Sequence, residues 1–262
     1  MDQIDISIPA LLAGFAALLI PVFLLWKYSA ELIKPMLWAF LRMALQLVLV
    51  GLYLQYIFDL NSIWINLAWV VLMLIAATVM IIRRSDLPFI KFSGTVLTAI
   101  TAGFIINAGI FAFIILGLEN FLDARYIIPV SGMLIGNSIA ATIVGLRSFF
   151  HNLKDNEEKY KFYLLSGATR EEALFDFICK SFKDSFNPWI ASTASIGLIW
   201  LPGMMTGQIL GGSNPITAIK YQIIIVVTIF VAVVINVYLS ILISKRIIFN
   251  KRDMINFELK RK

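Results

Sequence analysis

The sequence predicts an all-α fold, a polytopic transmembrane helical bundle of about seven spans. Of the 262 residues, 60% are hydrophobic and 15% are charged, whereas roughly 25% of the residues in a soluble domain are charged. The apolar residues fall into repeated runs of about 20, long enough to cross roughly 30 Å of hydrocarbon as helices. The alternation over about ten residues that is typical of membrane β-barrel strands is missing, so we expect one helical membrane domain over residues 1–262.

Seven candidate spans account for most of the chain. They cover residues 6–26, 37–58, 64–82, 92–118, 127–146, 188–212 and 217–243. The first run follows Asp2 and Asp5 rather than Lys or Arg, which favours a retained first span over a cleaved signal peptide. Amphipathic indole rings suit the headgroup region, and five tryptophans stand mostly near predicted span ends: Trp26, Trp38, Trp64, Trp189 and Trp200.

The basic residues orient these spans. Of the 22 Lys and Arg, all but Arg42, Arg125 and Lys220 follow the first, third or fifth span or lie in the C-terminal tail. Because cytoplasmic loops are rich in Lys and Arg, the N-terminus is predicted outside and the C-terminus in the cytoplasm. The net charge of +6 then reflects topology, and nucleic acid is not an expected partner.

The segment 147–187 is the one substantial stretch between predicted spans. Its apolar residues recur at helical spacing, and Ser166-Gly167-Ala168 interrupts them. Thr169, with Glu172 three residues later, forms a capping box that would begin a new helix, and Pro188 marks the return to the membrane. The prediction is helix, turn and helix. Such an element suits a lipid-surface anchor, a docking site for a partner, or a plain connection.

Several kinds of chemistry lack the residues they need. One cysteine, Cys179, and one histidine, His151, give no zinc or iron-sulfur spacing. Nothing matches the phosphate-cradling GxxxxGK[ST] loop. No Asp or Glu falls well inside a span, which argues against a conventional path for a dehydrated hard cation or a proton.

Four ordered blocks carry a resemblance over nearly the whole chain. They are RMALQL at 42–47, SGMLIGNS at 131–138, LPGMMTGQIL at 201–210 and AIKYQI at 218–223. Together they resemble the bacterial Fet-type iron-export permeases of ATP-binding-cassette (ABC) transporters, whose relatives are plant aluminium-tolerance permeases. The resemblance implies a non-enzymatic permease subunit in the bacterial inner membrane, two copies of which pair with a separate cytoplasmic ABC ATPase. It also implies that ATP and Mg²⁺ are bound by the partner and no cofactor by this chain.

The same resemblance gives segment 147–187 the role of the cytoplasmic coupling element that the ATPase moves. ABC permeases carry a degenerate Glu-Ala-Ala stretch, a glycine and a later apolar-proline exit in this element. This chain has the glycine and a late Pro188, but Lys161-Phe162-Tyr163 stands in place of Glu-Ala-Ala. The implied coupling residues are Gly167, Ala168, Thr169, Arg170, Glu171 and Glu172.

Polar and helix-breaking residues inside spans supply candidates for a translocation path. These are Arg42, Gln46, Asn137, Met204, Met205, Thr206 and Gln208. The block Pro202–Gln208 predicts irregular backbone at membrane depth, which normally lines protein or a cavity. Alternatives remain for each type. Thioethers of Met204 and Met205 suit soft metal ions but also fill gaps in cores, Arg42 lies close enough to the cytoplasmic edge to snorkel, and buried amides also join helices.

These observations lead to one functional hypothesis and two rivals. The chain is expected to be the permease subunit of an ATP-driven exporter of iron or another metal. An ATP-independent channel would have the same spans but no nucleotide-hydrolysing partner. A seven-helix receptor of the retinal type would need a mid-span lysine, whereas Lys220 lies at the edge of a span.

Overall fold

The computed structural model describes residues 7–113, 122–250 and 253–257, and over these residues the chain is helical, as predicted. Two short 3-10 turns, Ala30–Leu32 and Lys245–Ile247, accompany the α-helices. The α-helices are α1 Ile8–Ala16, α2 Leu19–Tyr28, α3 Ile33–Leu60, α4 Ile63–Arg84, α5 Phe89–Phe111, α6 Ala124–Asp155, α7 Glu157–Leu165, α8 Arg170–Ser195, α9 Gly203–Leu210 and α10 Pro215–Ser244.

Among the described residues, six stretches are long and apolar enough to cross a membrane. They are Ile8–Tyr28, Ala30–Leu60, Ile63–Arg84, Phe89–Phe111, Ala124–Asp155 and Pro215–Ile247. Six of the seven predicted spans coincide with them, although residue 6 and residues 114–118 of those predictions lie outside the described residues. The first stretch breaks at Ala17 and Leu18 because Pro21 has no N–H to donate to the Ala17 carbonyl.

The predicted span over 188–212 is wrong as a single run. α8 continues through Pro188 to Ser195, the chain then turns through residues 196–202, and the short helix α9 follows. The irregular backbone lies at 196–202 rather than at Pro202–Gln208, since Gly203–Leu210 is helical. The turn is held by Gly197 N–H donating to the Trp200 carbonyl and by Trp200 Nε1 donating to Ser195 Oγ at 2.8 Å.

The chain divides into two compact units. The N-terminal unit comprises residues up to Leu60 with Leu210–Gly212, and the main unit comprises Asn61–Ile209 with the residues from Ser213 onward. In the N-terminal unit α2, the first 3-10 turn and α3 pack in sequence. In the main unit α10 packs against α5 and α6, α4 packs against α5 and α6, and α8 lies on α6.

Small residues bring the helices of the main unit close together. At Gly103 of α5 an added Cβ would clash with Asn236 Oδ1 of α10, so a larger residue would have to displace Asn236 or move the helix. Asn236 Nδ2 donates to Ser138 Oγ of α6 at 2.9 Å. Ser181 of α8 donates to the Gly145 carbonyl of α6 at 2.5 Å. Ser138 and Asn236 therefore join helices, which is the packing role that the sequence left open.

Polar contacts at the two ends of the main unit join segments that are predicted to share one side of the membrane. At the end predicted to be outside, Asn61 bonds to Asp123 and to the Ala124 amide. At the other end the ion pair of Arg147 with Asp86 joins the end of α6 to the α4–α5 connection at 3.3 Å. Segments predicted to lie on one side of the membrane thus contact one another.

Candidate functional site

The turn between α7 and α8 is the first half of the candidate site. α7 ends in a Schellman motif, in which Ala168 N–H donates to the Tyr163 carbonyl and Gly167 N–H to the Leu164 carbonyl. Gly167 has φ +92°, a conformation that glycine adopts without strain, and nothing lies within 4 Å of the place its Cβ would occupy. The turn is therefore sharp, held by local bonds and open on its outer side.

Thr169 begins α8 with the predicted capping box. Its hydroxyl accepts from Glu172 N–H at 3.3 Å, and Glu172 Oε2 accepts from Thr169 N–H at 2.7 Å. Donation to the Glu172 carboxyl from the Thr169 N–H, and also from the Thr169 hydroxyl at 2.8 Å, lowers the pKa of that carboxyl. The prediction of helix, turn and helix is confirmed here, but a further break at Asn156 separates α6 from α7.

Neither end of segment 147–187 coincides with the end of a helix. α6 runs without interruption from Ala124 to Asp155, and α8 from Arg170 to Ser195. Pro188 lies inside α8, so no helix boundary accompanies the predicted return to the membrane at this residue, which stays a prediction. The turn at Gly167 is attached to one continuous helix on its C-terminal side.

A C-terminal clasp, residues 245–257 apart from 251 and 252, packs against this element and was missed from the sequence. Tyr160 of α7 is fully buried, stacks on Phe249 at 5.5 Å between ring centroids, and donates its hydroxyl to the Asp253 carbonyl at 2.9 Å. Phe257 is buried against Phe150 of α6, with ring centroids 5.2 Å apart. The sequence signals only a basic tail, since these partners are far apart in the chain.

Two of the six predicted coupling residues face this clasp. Arg170 pairs with Asp253 at 3.0 Å and lies over the Phe249 ring, and Glu171 pairs with Lys245 at 3.7 Å. Arg170 and Asp253 are about half-exposed and Glu171 is exposed, so these ion pairs contribute little to stability. Next to Gly167, Ala168 and Thr169, the large apolar side chains of Phe162 and Leu165 are 65% and 89% exposed.

Charged pairs hold α7 to its neighbours. Hydrogen bonds from Lys161 and Lys154 lower the pKa of Glu157. Those from Lys159 and Tyr163 lower the pKa of Asp176 in α8. Both carboxylates are thus kept ionised.

A cavity of about 530 Å³ is the second half of the candidate site. It is lined by residues of α6, α8, the 196–202 turn, the start of α9, and α10. Its aromatic and thioether walls include Trp189, Trp200, Met133 and Met204. Asp184 and Ser185 line the part of α8 nearer to the Gly167 turn. A second cavity, about 480 Å³, adjoins Met205, and Gln222 lines both.

The structure brings together only some of the predicted path residues. Asn137 and Met204 line the first cavity, and Met205, 7% exposed, lines the second. Thr206 donates to the Pro202 carbonyl, and neither Thr206 nor Gln208 lines these cavities. Arg42 and Gln46 are exposed side chains on α3 of the N-terminal unit. Within the described residues no group of three or more His, Cys, Asp or Glu is placed to hold a metal ion.

Sequence reasoning missed Gln222, Trp189 and Asp184 as cavity residues. Gln222 was quoted only within a resembling block, and Trp189 only as a mark of a span end. Asp184 and Trp189 lie on α8, which ends where the 196–202 turn begins. Gln222 lies on α10, beyond α9, and no local sequence pattern marks it as a cavity residue.

Long apolar helices, tight interhelical glycines and a polar network at each end define a multi-pass membrane protein. The sequence profile described as "Uncharacterised protein family (UPF0014)" matches residues 8–249, and the chain belongs to this family.

Named relatives confirm the resemblance read from the sequence. The chain is 34% identical to "UPF0014 membrane protein YjkA" of Bacillus subtilis (strain 168), covering 87% of this chain and 88% of that protein. It is 32% identical to "Protein ALUMINUM SENSITIVE 3" of Arabidopsis thaliana, over 81% and 77% of the two chains. It is 27% identical to "Probable iron export permease protein FetB" of Escherichia coli (strain K12), over the full length of both. No solved structure matches the chain.

Proposed function

We propose that the chain is the permease subunit of an ABC exporter, powered by a separate cytoplasmic ATPase. ATP and Mg²⁺ would be bound by that partner, and this chain would supply the membrane path. We place the protein in the bacterial inner membrane with its N-terminus outside. Iron, or another metal, is the proposed cargo because a full-length relative carries the name of an iron export permease.

The continuity of α8 is the observation that carries this proposal. The 26 residues of Arg170–Ser195 begin at the Gly167 turn and include the cavity-lining Asp184, Ser185, Pro188, Trp189 and Ser192. At 1.5 Å per residue the helix is roughly 39 Å long. A movement of the turn would therefore be transmitted to the cavity wall through one continuous helix, α8.

The proposed contact surface for the ATPase is the outer side of the turn. This surface is not covered by other residues at Gly167, and Ala168 and Thr169 follow directly. Its apolar part is formed by the exposed side chains of Phe162 and Leu165. Arg170, Glu171 and Glu172 have partners within the chain. We assign these three residues to holding the turn on α8 and the clasp.

Two permease copies with two ATPases form the proposed complex. Arg42 and Gln46 lie four residues apart on α3 with exposed side chains, and polar groups within a span normally face a polar neighbour. A second copy about a two-fold axis, the commonest symmetry of oligomers, would supply that neighbour. Native mass spectrometry of the detergent-solubilised complex should give two copies of each chain.

The experiment is purification of the tagged chain in mild detergent, identification of what copurifies, and an ATPase assay on the eluate. A cassette ATPase is expected, and Gly167→Trp and Leu165→Asp should release it or abolish transport-coupled hydrolysis. Leu165→Asp removes the exposed apolar contact without straining the backbone. Gly167→Trp fills the open side of the turn.

Gly212→Trp is the matched control. Gly212 has φ +90° and open space around it, as Gly167 does, but it belongs to the connection between α9 and α10 rather than to the α7–α8 turn. It should retain the ATPase. If Gly167→Trp and Leu165→Asp both retain the ATPase and its activity, the proposed contact surface is wrong. A preparation without a nucleotide-binding partner would favour the channel or receptor hypotheses.

A further inference from the structure

Gln222 of α10 stands out among the cavity residues because its side chain is buried without a matching partner. It is 7% exposed and lines both cavities. Its Oε1 accepts no hydrogen bond from any residue in the described part of the chain. A buried acceptor left unpaired is unfavourable, so such a group within a cavity wall indicates a donor supplied from outside the chain.

Three other polar residues around the first cavity have hydrogen-bond partners within the chain. Asn137 Nδ2 donates to the Met133 carbonyl at 2.8 Å, and Ser185 Oγ donates to the Ser181 carbonyl at 2.8 Å. Asp184 accepts from Ser148 Oγ at 2.6 Å. Gln222 therefore offers a free acceptor in a wall made mostly of indole, thioether and aliphatic surface.

This chemistry does not suit a bare metal ion. Hard cations take several anionic oxygen ligands, and softer ones take several nitrogen or sulfur ligands. Asp184 is the one carboxylate among the cavity residues, and the described residues contain no group of three or more His, Cys, Asp or Glu placed to hold a metal ion. A volume of about 530 Å³ lies instead within the range of sites for small organic ligands, roughly 300–1,000 Å³.

We infer that the cavity binds an uncharged organic molecule with an apolar body and a hydroxyl or N–H group that donates to Gln222 Oε1. This inference rests on the proposed transport function and specifies its cargo. Metal would then enter only inside a neutral organic chelate. Trp189 and Trp200 would cover the apolar faces of the ligand, and Gln222 would fix its orientation.

Equilibrium dialysis of the purified full chain, with any partner it retains, tests this inference. Three radiolabelled iron probes are compared in nucleotide-free buffer with empty micelles alongside: a ferrous salt, neutral iron(III) tris-acetohydroxamate, and its tris-N-methyl analogue. The acetohydroxamate chelate presents N–H donors, and the N-methyl chelate has the same charge without them. We expect saturable binding of the first chelate, about tenfold weaker binding of the second, and no binding of the ferrous salt.

Gln222→Met keeps the length of the side chain and removes the acceptor. It should abolish the preference for the N–H chelate, whereas Gln55→Met, at an exposed position of α3, should preserve it. The inference is overturned if the ferrous salt binds as well as the chelates, if neither chelate binds, or if Gln222→Met leaves the preference unchanged. Because the dialysis uses no nucleotide, its result is independent of the coupling test above.

Discussion

At Gly103, α5 meets the side chain of Asn236 on α10, and a Cβ there would lie 2.0 Å from Oδ1. Gly103→Ala should lower the free energy of unfolding by about 1–3 kcal/mol, because the helices must separate or Asn236 must leave Ser138. Thermal unfolding in detergent measures the effect. Gly94→Ala, on the same helix with open space around it, is the control. Equal melting temperatures for the two variants would contradict the close packing.

Tyr160 makes a second prediction at the scale of one residue. Burial, with the nearby Asp253 carboxylate, raises the pKa of its hydroxyl from the ordinary value of 10.0 to about 12. The folded protein therefore favours the neutral hydroxyl of Tyr160. The contribution of this group to the free energy of unfolding is complete below pH 10 and is lost as the pH rises towards about 12. Tyr160→Phe should lower stability by about 1 kcal/mol at neutral pH, where the bond to the Asp253 carbonyl is lost.

The check is a pH series of melting temperatures for both chains. The difference between wild type and Tyr160→Phe should be constant from pH 7 to 9 and shrink above pH 10. A difference that persists unchanged at pH 11 would count against the buried, neutral hydroxyl. Tyr56→Phe, at an exposed position of α3, serves as the control.

Among the elements, the N-terminus of α8 depends on its cap. Thr169→Ala removes the hydroxyl that accepts from Glu172 N–H, and loss of an N-cap costs about 1 kcal/mol. Hydrogen exchange of the amides of residues 170–173 should become roughly fivefold faster. Thr98→Ala is the control, since its hydroxyl donates to the Thr95 carbonyl within a helix. Exchange equal in the two variants would show that the capping box does not hold the turn.

Local and long-range features differed in how well the sequence predicted them. The Gly167 turn and the Thr169–Glu172 cap were predicted correctly because both depend on residues within one turn of chain. Pro202 and Gly203 indicated a break but misplaced it, because the bonds of Gly197 and Ser195 to Trp200 form the turn upstream. The pairing of Tyr160 with Asp253, 93 residues apart, leaves no local pattern, and neither does the buried position of Gln222.

For the whole molecule, α8 links the proposed ATPase contact to the cavity, since it carries the turn at one end and Trp189 near the other. ATP-driven movement of the turn should therefore change the surroundings of Trp189. Of the six tryptophans, five can be replaced by Phe so that only Trp189 reports. In the complex with its ATPase, a non-hydrolysable ATP analogue should shift the emission maximum of this variant.

A companion variant keeps only Trp26, on α2 of the N-terminal unit. It identifies shifts of the emission maximum that do not depend on movement of α8. Leu165→Asp should abolish the Trp189 shift while leaving the emission without nucleotide unchanged, because Leu165 lies at the turn and does not line the cavity. A Trp189 shift that survives Leu165→Asp with the ATPase still bound would mean that movement reaches the cavity by another route. The C-terminal clasp on α10 would then be the next element to test, since it joins α7 and α8 to the helix that carries Gln222.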